Sequence, residues 1–482
     1  MGYLEKNPDL RLSVQTPAEG EQKGKIFFRD EGQREAFETV TDCVLAPALD
    51  SFVLWVLREA VISGKKRLYF LARDGYLMYR AASCYCERFG LPIQCRYLCC
   101  SRYSVRIPVF HLDMDEAMDY ICRGGIDVTL HKILCRAGLS SEEERQILSL
   151  LASDGREREI IPYAELGRVR HRLEQCEPFC DLVRQHSEQA MPALAGYLRQ
   201  EGLLEDVSAA LVDSGWVGSM QKVLNEVLRY LRAEDALPSA GAGVGRRLEG
   251  YYWGLYELPG GVSAKDYHCY YFSPSNGLRE KVYFSNCLFE GVFSAPHGMT
   301  LGYEETEGGF RPVFAETAPD RRAFMEAETD RILYYIGTRA DRIRETVGQK
   351  APGTDMKAYL SHMDQEKNHR TVYRLFKLFM AEPTRQEAEV FGRLQFSDDV
   401  LEESGQQIAA QLSQRELRDN YPVSKALRLL GIRKGHVKES AWYEGSAVRG
   451  GRHVGRHLRR YAGYKYLLYQ RKNRMRSRRE DG

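Results

Sequence analysis

Three short stretches place charged and hydroxyl side chains where an apolar strand pattern breaks into a helical one. In "RLYFLARDGYLMYRAA", Arg67 to Ala82, the apolar run stops at Arg73-Asp74-Gly75. In "IQCRYLCCSR" it stops at Ser101-Arg102. In "ALVDSGWVGSMQKVL" it stops at Asp213-Ser214-Gly215, and Trp216-Val217-Gly218-Ser219 lead into the next helix. Glycines at such a turn let backbone N–H groups approach a ligand, and the free amides and dipole of a helix start favour an anion. Arg73 and Arg102 suit bidentate binding of phosphate or carboxylate. Asp74 and Asp213 are candidates for proton transfer, for accepting hydrogen bonds from sugar hydroxyls, or for holding magnesium through oxygen. Ser219 can cap its helix or bind a phosphate oxygen, and Gln221, one turn in, could reach the same place. Each stretch also has a plainer reading. Asp213 could be satisfied by backbone, Ser219 could be a simple cap, and Arg73-Asp74 could be a local ion pair worth little at a surface.

A fourth stretch, "NCLFEGVFSAPHGMTLGY", sets Glu290 in an apolar segment and His297 in a Pro-His-Gly turn. They are acid–base partners if the fold brings them to the same crevice, and otherwise a helix ending in a turn before a hairpin. His268 in "DYHCYYF" reads as a strand histidine.

The elements that must position these groups follow from periodicity. Strand, helix from Tyr76 to Phe89, and a second strand from Ile93 to Cys100 make a βαβ unit, hence a parallel sheet. From about Asp113 to Gly202 apolar residues recur at three and four, which predicts a helical insertion. "VSAALVDSGWVGSMQKVLNEVLRYLR" restores strand–turn–helix, and "LEGYYWGLYEL" and "DYHCYYFS" are aromatic strands. "MTLGYEETEGGFRPVFAE" predicts a β-hairpin, and long helices follow from about Asp320. The expected fold class is α/β, a Rossmann-like mainly parallel sheet with a helical insertion, then a hairpin and a mainly helical C-terminal half. The expected organisation is a flexible segment at 1–32, an α/β domain at 33–310 with its insertion at about 113–202, a helical region at 311–423 and a basic tail at 424–482. In a parallel sheet the three polar strand ends lie on one edge, where ligands bind near a topological switch point.

The chain has 482 residues and a formal net charge of +2, but the charge is unevenly spread. Residues 424–482 hold 17 Lys/Arg against 4 Asp/Glu, so an acidic body carries a basic tail suited to an anionic partner. The first 25 residues are polar and no segment reads as a signal peptide. Val44 to Ile62 is apolar but carries Asp50, Arg58 and Glu59, which fits a core helix better than a membrane span. A cytoplasmic chain with reduced thiols is expected, peripheral at the inner membrane face where the basic tail docks on lipid. Cys84/Cys86, Cys99/Cys100 and Cys176/Cys180 match no zinc ligand array.

Taken together, Arg73-Asp74-Gly75-Tyr76, "YLCCSR", "LVDSGWVGSMQ" and "LFEGVFSAPHGMTLGY" resemble, in that order, a bacterial family met in surface-polysaccharide gene clusters. Its members are labelled predicted hydrolases of the haloacid dehalogenase superfamily. The resemblance covers roughly residues 35–320, with a weaker likeness at Trp442–Ser446. The aspartate nucleophile motif DxDx(T/V) of that superfamily does not occur. "HLDMDEAMDY" offers Asp113 and Asp115, but no strand precedes them and a helix begins at once, so a helix cap is expected. In longer relatives a haloacid dehalogenase domain precedes the segment matched here; this chain holds the accompanying domain. A looser likeness is to phosphoribosyltransferases, whose last strand–helix loop cradles a ribose phosphate. Here Asp213 is the one acidic residue of that loop and Trp216 enters it, which implies a sugar-phosphate cradle of altered specificity.

These readings converge on a protein of cell-surface polysaccharide biosynthesis that binds a phosphorylated sugar or nucleotide sugar. The binding set is Arg73, Gly75, Ser101, Arg102, Ser214, Gly215, Trp216, Gly218, Ser219 and Gln221. Asp74, Asp213, Glu290 and His297 are the groups for catalysis. No cofactor is specified; magnesium would fall to Asp213 or Asp74. The alternative is a non-catalytic scaffold of the glycan-assembly machinery. Residues 449–482 would dock it on an anionic membrane or a glycosyltransferase. Nucleic acid is disfavoured, because nothing outside the tail looks like a nucleic-acid module.

Overall fold

The structure, a computed structural model, describes residues 28–125, 128–153, 155–235, 247–350, 356–396, 406–421, 423–424, 427 and 437–480. Much of the expected N-terminal segment and part of the tail, including 428–436, lie outside the described residues.

A long helix opens the fold, α1 (Glu31–Ile62). Asp30 caps it by accepting from the Gln33 backbone N–H at 2.9 Å. Its length and apolarity would allow a membrane span, but most of its apolar stretch is buried inside the protein. There follow β1 (Arg67–Leu71), α2 (Gly75–Phe89), β2 (Gln94–Leu98) and, after an insertion of short helices, the 24-residue α3 (Glu177–Gln200). Next come β3 (Ala209–Trp216), α4 (Ser219–Asp235), β4 (Glu249–Leu255) and β5 (Tyr267–Phe272). The five strands form one sheet in the order β2-β1-β3-β4-β5, and every pairing is parallel.

The strand β1 is buried on both faces, which is why Leu68–Leu71 reads as a continuous apolar run. Side chains alternate along β1 as the pleat requires. Leu68 and Phe70 join one core with α1 and α2. Tyr69 and Leu71 join another with α3 and α4. Helix α3 serves two cores: Phe179 and Val183 pack within the insertion, while Leu194 and Leu198 pack on the sheet. Asp113 caps the insertion helix Met114–Ile121, accepting from the Glu116 N–H at 2.9 Å.

After β5 the chain makes the short helix Asn286–Val292 and an antiparallel hairpin, β6 (Thr300–Thr306) and β7 (Gly309–Phe314). The C-terminal half is helical, with α5 (Pro319–Lys350), α6 (Gln365–Phe376) and α7 (Val454–Glu480) among its elements. It holds one small core of its own, around Leu412, Leu417 and Tyr443, but most of it packs elsewhere. Met325, Ile332 and Ile336 of α5, Val372 and Phe376 of α6, and Trp442 share the core that holds α1, α2 and one face of the sheet. The basic C-terminal segment is likewise docked: Lys465 is buried and its Nζ donates to Glu444 Oε1 at 2.8 Å.

Candidate functional site

In the order 2-1-3-4-5 the chain moves outward from β1 to β2, then returns to start β3 on the other side of β1. The switch point therefore lies between β1 and β3, where doubly wound sheets bind ligands beyond the strand ends. The C-terminal ends of β1, β2 and β3 meet there around a cavity of about 380 Å³. Arg73, Asp74, Ser101, Arg102, Asp213, Ser214, Gly215, Trp216, Ser219 and Glu290 all line it.

Asp74 stands at the N-cap of α2, yet its side chain makes no capping bond. The carboxylate turns across the switch point and accepts from the Ser214 hydroxyl at 2.5 Å. Gly75 makes this approach possible: a Cβ there would lie 3.0 Å from the Phe70 carbonyl carbon, so only glycine lets α2 start so close to β1. Asp213 sits one strand over, half-buried like Asp74. Burial, then the neighbouring charge of Asp213, pushes Asp74 up to about 7, against the pull of Ser214, Arg73 and Arg102. Burial pushes Asp213 up to about 7 as well, with Glu290 adding to the rise and Ser214 and Arg102 opposing it. The charge of Asp213 disfavours ionisation of Asp74, so near neutrality each carboxyl is available in both protonation states.

The loop after β3 is shaped by three residues with left-handed backbone. Gly215 has φ +109°, Trp216 φ +67° and Gly218 φ +68°. A Cβ at Gly215 would lie 2.7 Å from the Gly254 carbonyl oxygen on β4. Positive φ is uncommon for a residue as bulky as tryptophan. Here the indole Nε1–H donates to Glu290 Oε1 at 2.5 Å, and the ring packs on Phe284 and Phe289 at centroid distances of 5.3 and 5.5 Å. Glu290 reaches the cavity because its helix buries Leu288, Phe289 and Val292 and turns position 290 outward.

Ser101 caps the helix Arg102–Arg106 with a reciprocal capping box and donates to the Thr300 carbonyl at 2.6 Å. This ties the end of β2 to the hairpin. Thr300 is 1% exposed, lines the cavity, and its Oγ1 has no hydrogen-bond partner among the described residues. Burying a hydroxyl without a partner is costly, and a ligand oxygen would relieve that cost.

Four predicted residues have other roles. Gln221 is 1% exposed and absent from the cavity wall. Its Nε2 donates to the Leu248 and Asp266 carbonyls, each at 3.0 Å, and its Oε1 accepts from Tyr252 at 2.7 Å. It ties α4 to the sheet. His297 also lies off the cavity. Its Nδ1 is 2.8 Å from the Gly298 carbonyl and its Nε2 2.8 Å from the Tyr97 hydroxyl, so both ring nitrogens are engaged. Burial holds its pKa below the ordinary value, and a neutral imidazole donating through Nδ1 and accepting at Nε2 fits these bonds. Gly218 packs on Tyr267, and Gly75 serves helix–strand packing. Ser214 lines the cavity, and its hydroxyl donates to Asp74.

Other residues of the wall were not singled out from the sequence: Tyr103, Tyr120 and Arg123 from the insertion, Met220, Met299 and Thr300. The Arg123 guanidinium lies 5.0 Å from the centre of the Tyr120 ring. The insertion thus forms part of the cavity wall, and nothing in its helical periodicity marks these positions.

A scan against protein-family models and a search of curated proteins find no match. Function must therefore come from the geometry of the site. Among the described residues, the group of three metal-ligating side chains with ligand atoms within 4.8 Å of one another is His131, Cys135 and Glu144, in the insertion. His131 Nδ1 and Glu144 Oε1 are 2.6 Å apart, a hydrogen-bond contact that accounts for the closeness of these two. At the strand ends, Asp74 and Asp213 are the oxygen donors that magnesium would use, in line with its habit of taking one or two carboxylates plus substrate phosphate.

Proposed function

We propose that the protein binds a phosphorylated sugar or nucleotide sugar at the β1/β3 switch point and transfers or hydrolyses its phosphoryl or glycosyl group. The resemblance of its motifs supports a role in cell-surface polysaccharide synthesis at the cytoplasmic side. The observation that carries the proposal is the Asp74–Asp213 pair, both members near 7, facing one cavity together with Arg73 and Arg102.

The arginines hold the anionic group and offset charge that develops on it. Within the pair, the ionised carboxylate accepts a proton from the attacking water or sugar hydroxyl. The protonated partner donates to the departing oxygen. One proton enters and one leaves, so the pair is reset after product release. A pKa near the working pH is what such a donor and acceptor need. The Thr300 hydroxyl is placed to meet a sugar oxygen. A volume of about 380 Å³ lies at the small end of small-molecule sites.

Thermal-shift measurements with hexose phosphates and nucleotide sugars, with and without magnesium, test this directly when followed by product analysis. The expected result is stabilisation of the wild type by several degrees. Turnover should peak near pH 7. Arg102→Ala should lose the shift. Asp213→Asn should keep it while turnover falls by about 100-fold or more. Stabilisation without turnover would make the protein a binding component of the assembly machinery. Absence of any shift with these anions would discard the reading.

A further inference from the structure

Helix α7 carries the most one-sided charge in the chain, with no acidic residue between Glu444 and Glu480. Its two faces do different things. The inner face is built into the fold: His457 and Lys465 are buried. Tyr461 stacks on Tyr443 at 4.3 Å and Tyr469 on Tyr256 at 5.5 Å. The Lys465 ammonium is held by Glu444 and the Phe284 carbonyl. The outer face is exposed at Arg456, Arg459, Arg460 and Arg471, which recur at helical spacing and form one stripe. Within that stripe Leu467 is 66% exposed, and Tyr466 beside it is 44% exposed.

We propose that this outer face of α7 is a docking surface for an anionic lipid bilayer. The arginines meet the headgroup phosphates while Leu467 and Tyr466 enter the boundary between headgroups and acyl chains. A basic helix meant only for water gains nothing from a leucine at the centre of its charged stripe. A helix lying in a membrane interface needs that combination of cations and apolar or aromatic side chains. A nucleic-acid backbone would be served by the arginines alone. The helix is rigidly placed relative to the sheet edge. Tyr256, under Tyr469, donates its backbone N–H to the Trp216 carbonyl at 2.8 Å, and Trp216 lines the cavity. Docking stands on these observations whether or not the cavity turns over a sugar.

The test uses the full chain and flotation with two kinds of vesicle, phosphatidylcholine alone and phosphatidylcholine mixed with phosphatidylglycerol. Binding is expected to the mixed vesicles only, and it should fall steeply as sodium chloride is raised. Arg456→Glu with Arg459→Glu should weaken it by about tenfold or more. Leu467→Ser with Tyr466→Ser should also weaken it several-fold, while leaving retention on duplex DNA or heparin unchanged. Since these side chains point outward, the variants should melt with the wild type and keep any ligand-induced shift at the cavity. Failure to bind mixed vesicles would overturn the proposal. So would binding indifferent to Leu467 and Tyr466, or a preference for duplex DNA over mixed vesicles.

Discussion

Asp74 is an aspartate at a helix N-cap that does not cap. An N-cap carboxylate normally accepts from the helix amides and has its pKa lowered. Here burial, and then the charge of Asp213, raise its pKa from an ordinary 3.8 to about 7 against the pull of Ser214. The consequence for stability has a definite sign. Between about pH 4 and pH 7 the native state keeps a proton that the unfolded chain has released, so stability falls as pH rises through that window. This opposes the usual behaviour of a salt-bridged carboxylate. Asp74→Asn removes the repulsion with Asp213 while its amide oxygen can still accept from Ser214. The variant should be more stable than wild type by about 1–2 kcal/mol at pH 8, after allowance for solvent screening at this half-buried pair. The two should converge near pH 4. Thermal unfolding across pH checks this; equal stability of both proteins at pH 8 would contradict the coupling. A site that is strained when charged, and relaxed by a substitution that would abolish acid–base chemistry, is the usual trade between stability and function.

At the scale of the element, the β3–α4 loop sets one glycine on the cavity wall and another beside it. Gly215 and Gly218 both have positive φ, but only Gly215 lines the cavity. Gly215→Ala would force a Cβ to within 2.7 Å of the Gly254 oxygen in a conformation that L-residues avoid. A loss of about 2–4 kcal/mol is expected, read from the denaturation midpoint. A neutral effect would mean that the loop can shift away from β4. The strand and helix boundaries here were legible because a short apolar run gives way to a period of 3.6 at a cluster of glycine, serine and aspartate. The use of each polar side chain was not. Gln221 lies one turn into α4, at a distance that suited a ligand, but its amide is occupied by Leu248, Asp266 and Tyr252 from the neighbouring strands and loops. Those partners lie 27 to 45 residues away along the chain, beyond the reach of any local pattern.

At the scale of the molecule, the basic C-terminal segment is a structural part and not a loose tail. Removing residues 454–482 would leave Glu444 buried without Lys465 and strip Tyr256 and Tyr443 of their stacked partners. Breaking a buried ion pair by losing one partner costs about 3–5 kcal/mol, so the truncated protein should melt well below the full chain or fail to accumulate. A truncation that melts with the wild type would show that α7 does not dock as described. This is why charge reversal on the outer face, and not deletion, separates membrane binding from folding.

Alternating strand and helix patterns, with strands apolar throughout, already dictated a parallel sheet covered on both faces. Parallel pairing then obliges the polar ends of β1, β2 and β3 to share an edge. That much follows from short-range periodicity, which any stretch of chain carries within itself. Only the tertiary structure decided which of those polar groups face a ligand. It turned His297 onto Tyr97 and Gly298, brought Thr300 and the insertion's Tyr120 and Arg123 to the cavity, and set Asp74 against Ser214, 140 positions apart. Side-chain direction and partner choice depend on contacts between distant segments, and no local pattern of residue types encodes them.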